Sequence, residues 1–218
     1  QQARINSIIQ GRGKNIILST TEGAHTFNYK TQEIKTAFPS LSKQTGKLNV
    51  TGLHFLNNSD WLIATQNDGL YTVKNNGEIK HSTSDLFQKN ALLFDELNTI
   101  YKDNSGVIWL GSHRGLTSFD PSYKGILGIG VSGNPLRGIP TASVWSFAED
   151  RKKEYIYIGS DKAISRLNKK TGTFEQFYRQ LDNTKSSGEK TILSIFVVNN
   201  NKLLVGCADG FFELNISN

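Results

Sequence analysis

The stretch LNTIYKDNSGVIWLGSHRGLTSFDP, residues Leu97–Pro121, shows how this chain is built. It contains three short apolar runs with β-type composition, at Leu97–Tyr101, Val107–Ser112 and Leu116–Asp120. Turns rich in Asn, Asp, Ser and Gly separate the runs, a pattern typical of antiparallel hairpins. Because a meander of hairpins cannot cover its own apolar faces, the stretch predicts neighbours of the same kind.

The same pattern occurs five times along the chain. In each copy a pair of large apolar residues precedes a small residue, a short turn and a third apolar run. The turn positions lie 46 to 48 residues apart, at Gly23, Gly69, Gly115, Ala163 and Gly210. Repeats of this period that consist of short strands predict the blades of a β-propeller.

The aligned columns have a physical meaning. Two consecutive large residues, such as Trp109 and Leu110, predict a strand buried on both faces because its sheet lies between two others. Glycine at the turn predicts a positive φ or a tight hairpin. Ala163 departs from this rule, so its turn is expected to differ.

The predicted fold class is all-β: a β-propeller segment of about five four-stranded antiparallel blades. The approximate blade ranges within the single segment 1–218 are 1–47, 48–93, 94–140, 141–190 and 191–218, the last of them incomplete. Because a closed ring normally seals its ends by strand pairing, we expect the chain to belong to a larger propeller of about seven blades.

Two connectors interrupt the regular pattern. Residues 39–47 are predicted to form a polar connector between the first two blades. The segment after Pro121, which ends near Pro140, is the longest irregular region, and it is the best single candidate for a functional loop.

Composition excludes several functional classes. The net charge is +6 and the pI is about 9.3, but the basic residues are scattered and form no stripe with interleaved aromatics, so no nucleic-acid partner is expected. No run of eighteen apolar residues occurs, so any membrane contact would come through other parts of a longer protein. Cys207 is the only cysteine and occupies a column of small hydroxyl residues, which predicts a packing role.

No motif for catalysis, metal binding or cofactor binding is apparent, so none of the three is expected. The four histidines lack the spacing of metal ligands, and the chain has no nucleophile elbow, P-loop or dinucleotide fingerprint. Acidic residues do occupy equivalent turns, which leaves open a propeller glycosidase or lyase acting on polysaccharide. These acids are Glu22, Asp68, Asp161 and Asp209.

The turns between the second and third strands are the predicted binding surface, because in propellers these turns share one face around the channel mouth. They are rich in planar polar groups that can satisfy sugar hydroxyls. The candidate ligand-binding residues are Gln66, Asn67, Asp68, His113, Arg114, Asp161, Lys162 and Asp209. Trp145, on the innermost strand of blade four, is expected either to stack on a ligand or to fill the core.

The order N-x-I-x-x-D-x-x-G-x-I-W-L-G-S-x-x-G-L-x-x-F-D-P in Leu97–Pro121 resembles a two-component regulator propeller repeat, and Ser143–Asn168 and Ile192–Asn215 are similar but degenerate. The resemblance implies the periplasmic sensor region of a bacterial hybrid two-component system, a histidine kinase with a response regulator. It further implies a non-catalytic segment that recognises an oligosaccharide or another small ligand. Gene expression would then be controlled through the parent's kinase, with the parent acting as a homodimer in the inner membrane. A pure protein-interaction scaffold stays open as an alternative.

Overall fold

The chain folds into five antiparallel sheets, each of which is one propeller blade. The computed structural model describes residues 3–56, 59–85, 91–121, 126–134, 136–161, 163–179 and 191–216. Their contacts define two compact units, Gln1–Ile100 and Tyr101–Asn218. In every sheet the strands lie side by side in chain order, as in a meander. The predicted all-β propeller fold is therefore confirmed.

The first unit contains two complete blades and a helix between them. Blade one comprises β1 (Ile5–Gln10), β2 (Asn15–Thr20), β3 (Gly23–Asn28) and β4 (Glu33–Thr36). Helix α1 (Pro39–Thr45) follows, and blade two comprises β5 (Val50–Phe55), β6 (Trp61–Thr65), β7 (Leu70–Val73) and β8 (Ile79–Ser82). The first unit ends within β9 (Leu97–Lys102), the innermost strand of blade three.

The second unit contains the rest of blade three and two further blades. Blade three continues with β10 (Ile108–Ser112), β11 (Gly115–Phe119) and β12 (Ile126–Ile129). Blade four comprises β13 (Val144–Glu149), β14 (Tyr155–Ser160), β15 (Ala163–Asn168) and β16 (Phe174–Arg179). Blade five comprises β17 (Ile192–Asn199), β18 (Lys202–Cys207) and β19 (Gly210–Asn215), and its sheet has three strands within the described ranges.

Helix α1 corrects the expectation of an irregular connector at residues 39–47. Pro39 stands at the start of the helix, where a missing N–H costs nothing. Leu41 is 4% exposed and anchors the helix on the core of the first unit. Gly46, with φ +72°, ends the helix, and its N–H donates to the Ser42 carbonyl. One buried leucine in a polar segment is too weak a pattern to predict a helix.

The two large residues of each second strand face opposite neighbours, as predicted. In blade two, Leu62 and Ile63 are 2% and 0% exposed. Ile63 packs with Ile17 of blade one, so the second column faces the preceding blade. In the second unit, Tyr157 of blade four packs with Val205 of blade five in the same way. Each such contact buries apolar area on both partners, which is the main source of blade-to-blade cohesion.

The first and last blades each present an apolar surface to solvent. Ile8, which pairs with the half-buried Leu18, is 59% exposed on the face that points away from blade two. Phe196, which pairs with the half-buried Leu204, is 64% exposed on the face that points away from blade four, and Phe211 on the same sheet is 77% exposed.

The turn between the second and third strands has one construction throughout. The four turn glycines, Gly23, Gly69, Gly115 and Gly210, have positive φ, whereas Ala163 does not. In the first four blades a hydroxyl closes the turn by donating to the carbonyl of the turn residue, as from Ser112 to Gly115 at 2.9 Å. This bond explains the hydroxyl column, in which Cys207 is the exception.

A β-bulge interrupts the innermost strand of four blades. In blade four, Val144 pairs with Ser160 and Ser146 pairs with Gly159, so Trp145 between them has no partner. Register shifts at the corresponding place in blades one, two and five leave Asn6, Thr51 and Leu193 outside the strand pairing. A bulge re-aims the side chain of its extra residue and is common next to functional sites.

A buried charged cluster joins blades three and four. The Lys169 ammonium lies 2.9 Å from Asp103 Oδ2 and 2.8 Å from Glu149 Oε1, and these two carboxylates are 0% and 2% exposed. Asp103 also accepts a hydrogen bond of 3.1 Å from the Trp109 indole. Asp103 and Trp109, two prominent residues of the repeat, therefore stabilise the contact between blades three and four.

Acidification is expected to destabilise the protein through this cluster. Burial raises the pKa of Asp103, but hydrogen bonds from Ser105, Lys169 and Trp109 outweigh burial and hold it below its ordinary value of 3.8. A carboxyl with a depressed pKa stabilises the fold fully above its ordinary pKa, and this contribution is lost as the pH falls through the depressed value.

We therefore expect the free energy of unfolding, measured by urea denaturation, to fall as the pH drops below about 5 and to keep falling below pH 3.8, until Asp103 is protonated in the folded protein. Asp103→Asn should be less stable at neutral pH and should show a shallower acid dependence. If the free energy of unfolding of this variant falls with acidification as steeply as that of the unmodified protein, other carboxyl groups are the main cause of the acid destabilisation.

Candidate ligand-binding site

Three polar aromatic and acidic side chains form a connected row across blades three and four. The row consists of His113, Trp145 and Asp161, and we call it the tryptophan row. The His113 and Trp145 rings meet edge to face, with centroids 5.0 Å apart and an interplanar angle of 86°. The Trp145 indole N–H donates to Asp161 Oδ1 at 2.8 Å. All three residues are partly exposed.

The backbone around the row fixes its geometry. Asp161 N–H donates to the Ser143 carbonyl at 3.3 Å, and the Thr141 hydroxyl donates to the Asp161 carbonyl at 2.9 Å. Thr191, just before β17, pairs with Asp161 as an isolated bridge, and its hydroxyl is 3.4 Å from Asp161 Oδ1. The row therefore extends to the start of blade five.

This arrangement suits a ligand that combines a flat apolar face with hydroxyl groups. Trp145 offers a large ring at low conformational cost, and its bond to Asp161 fixes the ring orientation. Asp161 Oδ2 accepts no hydrogen bond from the described residues, so a ligand hydroxyl can donate to it. A sugar ring has both features.

The other predicted residues of the second unit lie outside this row or beyond description. Arg114 is exposed beside His113, and its backbone N–H donates to the Ser112 hydroxyl. Asp209 is exposed in the equivalent turn of blade five. Lys162 falls outside the described residues.

The connector after Pro121 is partly anchored. Its strand β12 completes the sheet of blade three. Ile139, which is 0% exposed, holds the far end of the connector in the core. Val131 bridges to Ile139, and the Ser132 N–H donates to the Ile139 carbonyl at 3.1 Å. Residues 122–125 and 135 of this candidate functional loop lie outside the described residues.

In the first unit, Gln66 belongs to a short row of side-chain amides. Asn6 Nδ2 donates to Asn49 Oδ1 at 2.8 Å and to the Val50 carbonyl at 2.8 Å. Asn49 Nδ2 in turn donates to Gln66 Oε1. Asn67 is exposed in the same turn. Amide rows of this kind can donate to and accept from hydroxyl groups.

Asp68 is tied to its own blade. Its Oδ2 accepts a hydrogen bond of 2.5 Å from the Tyr71 hydroxyl, and its backbone carbonyl lies 2.7 Å from His81 Nε2. The Tyr71 and His81 rings stack with centroids 4.2 Å apart. Burial, followed by the bond to Asp68, raises the pKa of the Tyr71 hydroxyl. Asp68 therefore stabilises its own turn through its contacts with Tyr71 and His81.

The sequence analysis named Trp145 but missed Asn6, Asn49 and Thr191, and the bulges of the innermost strands explain part of this difference. Asn6 and Trp145 occupy the same bulge position in blades one and four, yet neither period nor composition marks a bulge. A usable signal was present, because the residue directly after the aliphatic residue that begins each first strand varies between polar, aromatic and aliphatic types. These residues are Asn6, Thr51, Asn98, Trp145 and Leu193. Asn49 and Thr191 sit at strand entrances, where sequence gives no contact partner.

Three of the four turn acids are bonded to neighbouring side chains. Glu22 forms an ion pair of 2.9 Å with Lys47, Asp68 bonds to Tyr71, and Asp161 bonds to Trp145. Within the described ranges, no group of three or more histidine, cysteine, aspartate or glutamate side chains is placed to hold a metal ion. No helix in that part of the chain is long and apolar enough to cross a membrane.

Comparison with known proteins gives similarity in structure alone. No family model and no curated protein sequence matches the chain. Two similar crystal structures are of the extracellular domain of BT4673 from B. thetaiotaomicron, described in one as a putative one component system and in the other as a putative hybrid two component system. They have a TM-score of 0.75, identities of 18% and 19%, and matches that cover 99% and 97% of this chain.

A third similar structure is the extracellular domain of the putative hybrid two component system BT3049 from the same organism. Its TM-score is 0.72 and its identity is 18%, over 98% of this chain. The match covers 27% of the BT3049 chain and 27% and 26% of the two BT4673 chains, so this chain spans about a quarter of their length. At the level of the fold, the predicted resemblance to sensor regions of hybrid two-component systems is confirmed.

Proposed function

We propose that this chain is a non-catalytic part of the periplasmic sensor region of a hybrid two-component signalling protein, and that it binds an oligosaccharide at the tryptophan row. The observation that carries the ligand proposal is the partly exposed Trp145, which His113 and Asp161 hold in place. The fold shared with extracellular domains of putative hybrid two component systems supports the sensor role.

Recognition would combine stacking with hydrogen bonds. The apolar face of a sugar ring would pack on Trp145, while hydroxyls at the ring edge would donate to Asp161 Oδ2. Because the row runs from the turn of blade three to the start of blade five, a bound oligosaccharide would contact three blades at once. Its binding free energy would then stabilise the blade-to-blade contacts of the second unit.

In the longer protein, we propose that binding biases the arrangement of two sensor regions within a homodimer. A ligand can shift such an equilibrium only as far as it binds one arrangement more tightly than the other. The kinase and the regulated genes belong to the parent protein, through which the membrane is also reached.

The alternative function is a pure protein-interaction scaffold. This alternative requires no ligand at the tryptophan row, so the same binding experiment distinguishes the two.

Replacing Asp161 with alanine is expected to weaken oligosaccharide binding at least tenfold, because it removes both the hydroxyl acceptor and the partner that orients Trp145. Isothermal titration calorimetry with a panel of neutral and acidic oligosaccharides measures this change. Asp209→Ala, the same substitution in the equivalent exposed turn of blade five, is the matched control and should bind normally.

Three results would contradict the proposal. Absence of binding by the whole panel would favour the scaffold. Equal losses in Asp161→Ala and Asp209→Ala would place the ligand elsewhere. Release of reducing ends from a polysaccharide, abolished by Asp161→Asn, would make the chain a propeller glycosidase or lyase.

A further inference from the structure

An aromatic cleft lies between blades one and two, at the opposite end of β6 from the Gln66 turn. Its volume is about 220 Å³, and its lining includes Arg12, Asn15, Phe38, Trp61 and Asn75. Trp61 begins β6, whereas Gln66 directly follows the last residue of the same strand. Because a strand rises about 3.3 Å per residue, the two positions are roughly 16 Å apart.

Trp61 is an exception in its repeat column. The corresponding positions in the second unit are Ile108, Ile156 and Leu203, and all three are 0% exposed. An aliphatic residue therefore suffices for packing at this point of a blade. Trp61 packs on the core of the first unit, but it places a larger ring at this position and leaves part of that ring exposed to solvent, and Ile16 of blade one is also partly exposed.

The Trp61 ring is held by two other aromatic rings. Phe55 lies against it with centroids 3.7 Å apart, and Phe38 meets it edge-on at 5.6 Å. Phe38 and Trp61 line the cleft as an apolar wall, and Phe55 packs on Trp61 and restricts the rotation of its ring. The cleft thus has a preformed surface for a flat, ring-shaped ligand.

Polar groups surround this wall. The Arg12 guanidinium carbon lies 6.0 Å from the centre of the Phe55 ring. The Asn15 side chain donates to the Arg12 carbonyl at 3.2 Å and so anchors the loop that carries the arginine. Among the described lining residues Arg12 carries the only formal charge, and it is positive.

We propose that this cleft binds a saccharide ring that bears an acidic group, such as a uronic acid. The apolar face of the ring packs on the aromatic wall, and the carboxylate pairs with the Arg12 guanidinium, whose planar donors fit a carboxylate in bidentate fashion. The hydroxyls of the ring bond to the amides of Asn15 and Asn75.

This site is separate from the tryptophan row, which lies in the second unit, and it does not depend on the function proposed above. A ligand can bind here whether or not the tryptophan row binds one. The variants that test the two sites are different residues in different units, so failure of one proposal leaves the other standing.

Trp61→Ile is the sharpest test, because it installs the type of residue that other blades carry in this column and should preserve the fold. The probe is an oligogalacturonate, titrated by calorimetry against its neutral galactose counterpart. We expect the acidic probe to bind, Trp61→Ile to weaken binding at least tenfold, and Arg12→Gln to weaken it several-fold. Lys14→Gln, which removes a positive charge from a neighbouring exposed residue outside the cleft, should leave this binding unchanged.

Four results would overturn the proposal: no binding of oligogalacturonate, equal binding of the neutral counterpart, full binding by Trp61→Ile, or an equal loss of binding in Arg12→Gln and Lys14→Gln. A proline-rich peptide, which can also dock in aromatic grooves, is included as a competing probe. If the peptide binds in preference and Trp61→Ile abolishes that binding, the cleft is a peptide site. Thermal melting of each variant verifies that the first unit stays folded.

Discussion

Replacing Lys169 with methionine is expected to lower the free energy of unfolding by about 3–5 kcal/mol, the typical cost of removing one partner from a buried ion pair. Lys169 neutralises two carboxylates, Asp103 and Glu149, that are almost fully enclosed. Burial lowers the pKa of the lysine, but the hydrogen bonds that its ammonium donates to Glu149 and Asp103 outweigh burial and raise this pKa above its ordinary value. Methionine fills a similar volume, so lost packing contributes little.

Lys170→Met is the matched control, since its side chain lies next along the chain and is exposed. Urea denaturation at neutral pH should show a large loss for Lys169→Met and almost none for Lys170→Met. The deficit of Lys169→Met should shrink towards acid pH, where protonation removes the unbalanced charges. A deficit below about 1 kcal/mol at neutral pH would mean that water or another cation replaces the ammonium.

Replacing Gly115 with alanine is the second change with a large expected effect. Gly115 has φ +142°, and a Cβ atom there would lie 2.6 Å from the Ile129 carbonyl oxygen of strand β12. The unfavourable backbone costs about 1–3 kcal/mol. The overlap with a neighbouring backbone adds about 1–3 kcal/mol, because β12 must move to relieve it.

Gly210→Ala separates these two costs. Gly210 occupies the same turn position in blade five with φ +137°, and a Cβ atom there meets nothing within 4 Å. Both variants carry the backbone strain, so the difference between their unfolding free energies isolates the contact with β12. Equal losses in the two variants would show that the outer strand of blade three yields freely.

The buried strands and the turns of this chain were predictable because the same residue pattern recurs in every blade. Adjacent large residues such as Leu62 and Ile63 reveal a strand buried on both faces, and glycine reveals the positive φ of a turn. Both are local properties that recur in every blade. Helix α1 occurs only once and buries a single side chain, Leu41, so no periodic pattern in the sequence indicates it.

The candidate site was predictable only in part. The repeat placed His113 and Asp161 at equivalent turns, but it could not show that Trp145 joins them. That contact depends on an unpaired bulge residue, which shifts the face on which a side chain emerges without any trace in composition. The cluster around Lys169 was missed for a similar reason, because its members lie on three separate strands or turns.

The bulge on the innermost strand also separates selection for a stable sheet from selection for a changed surface, because the two act there on different residues. A residue that pairs and packs in a sheet cannot change freely, because each change disturbs its neighbours. The bulge residue escapes the pairing ladder, so the chain can carry asparagine, threonine, tryptophan or leucine there while its cores stay aliphatic. Residues at these positions can therefore change one blade at a time, while the pairing and the cores of the blades are inherited unchanged.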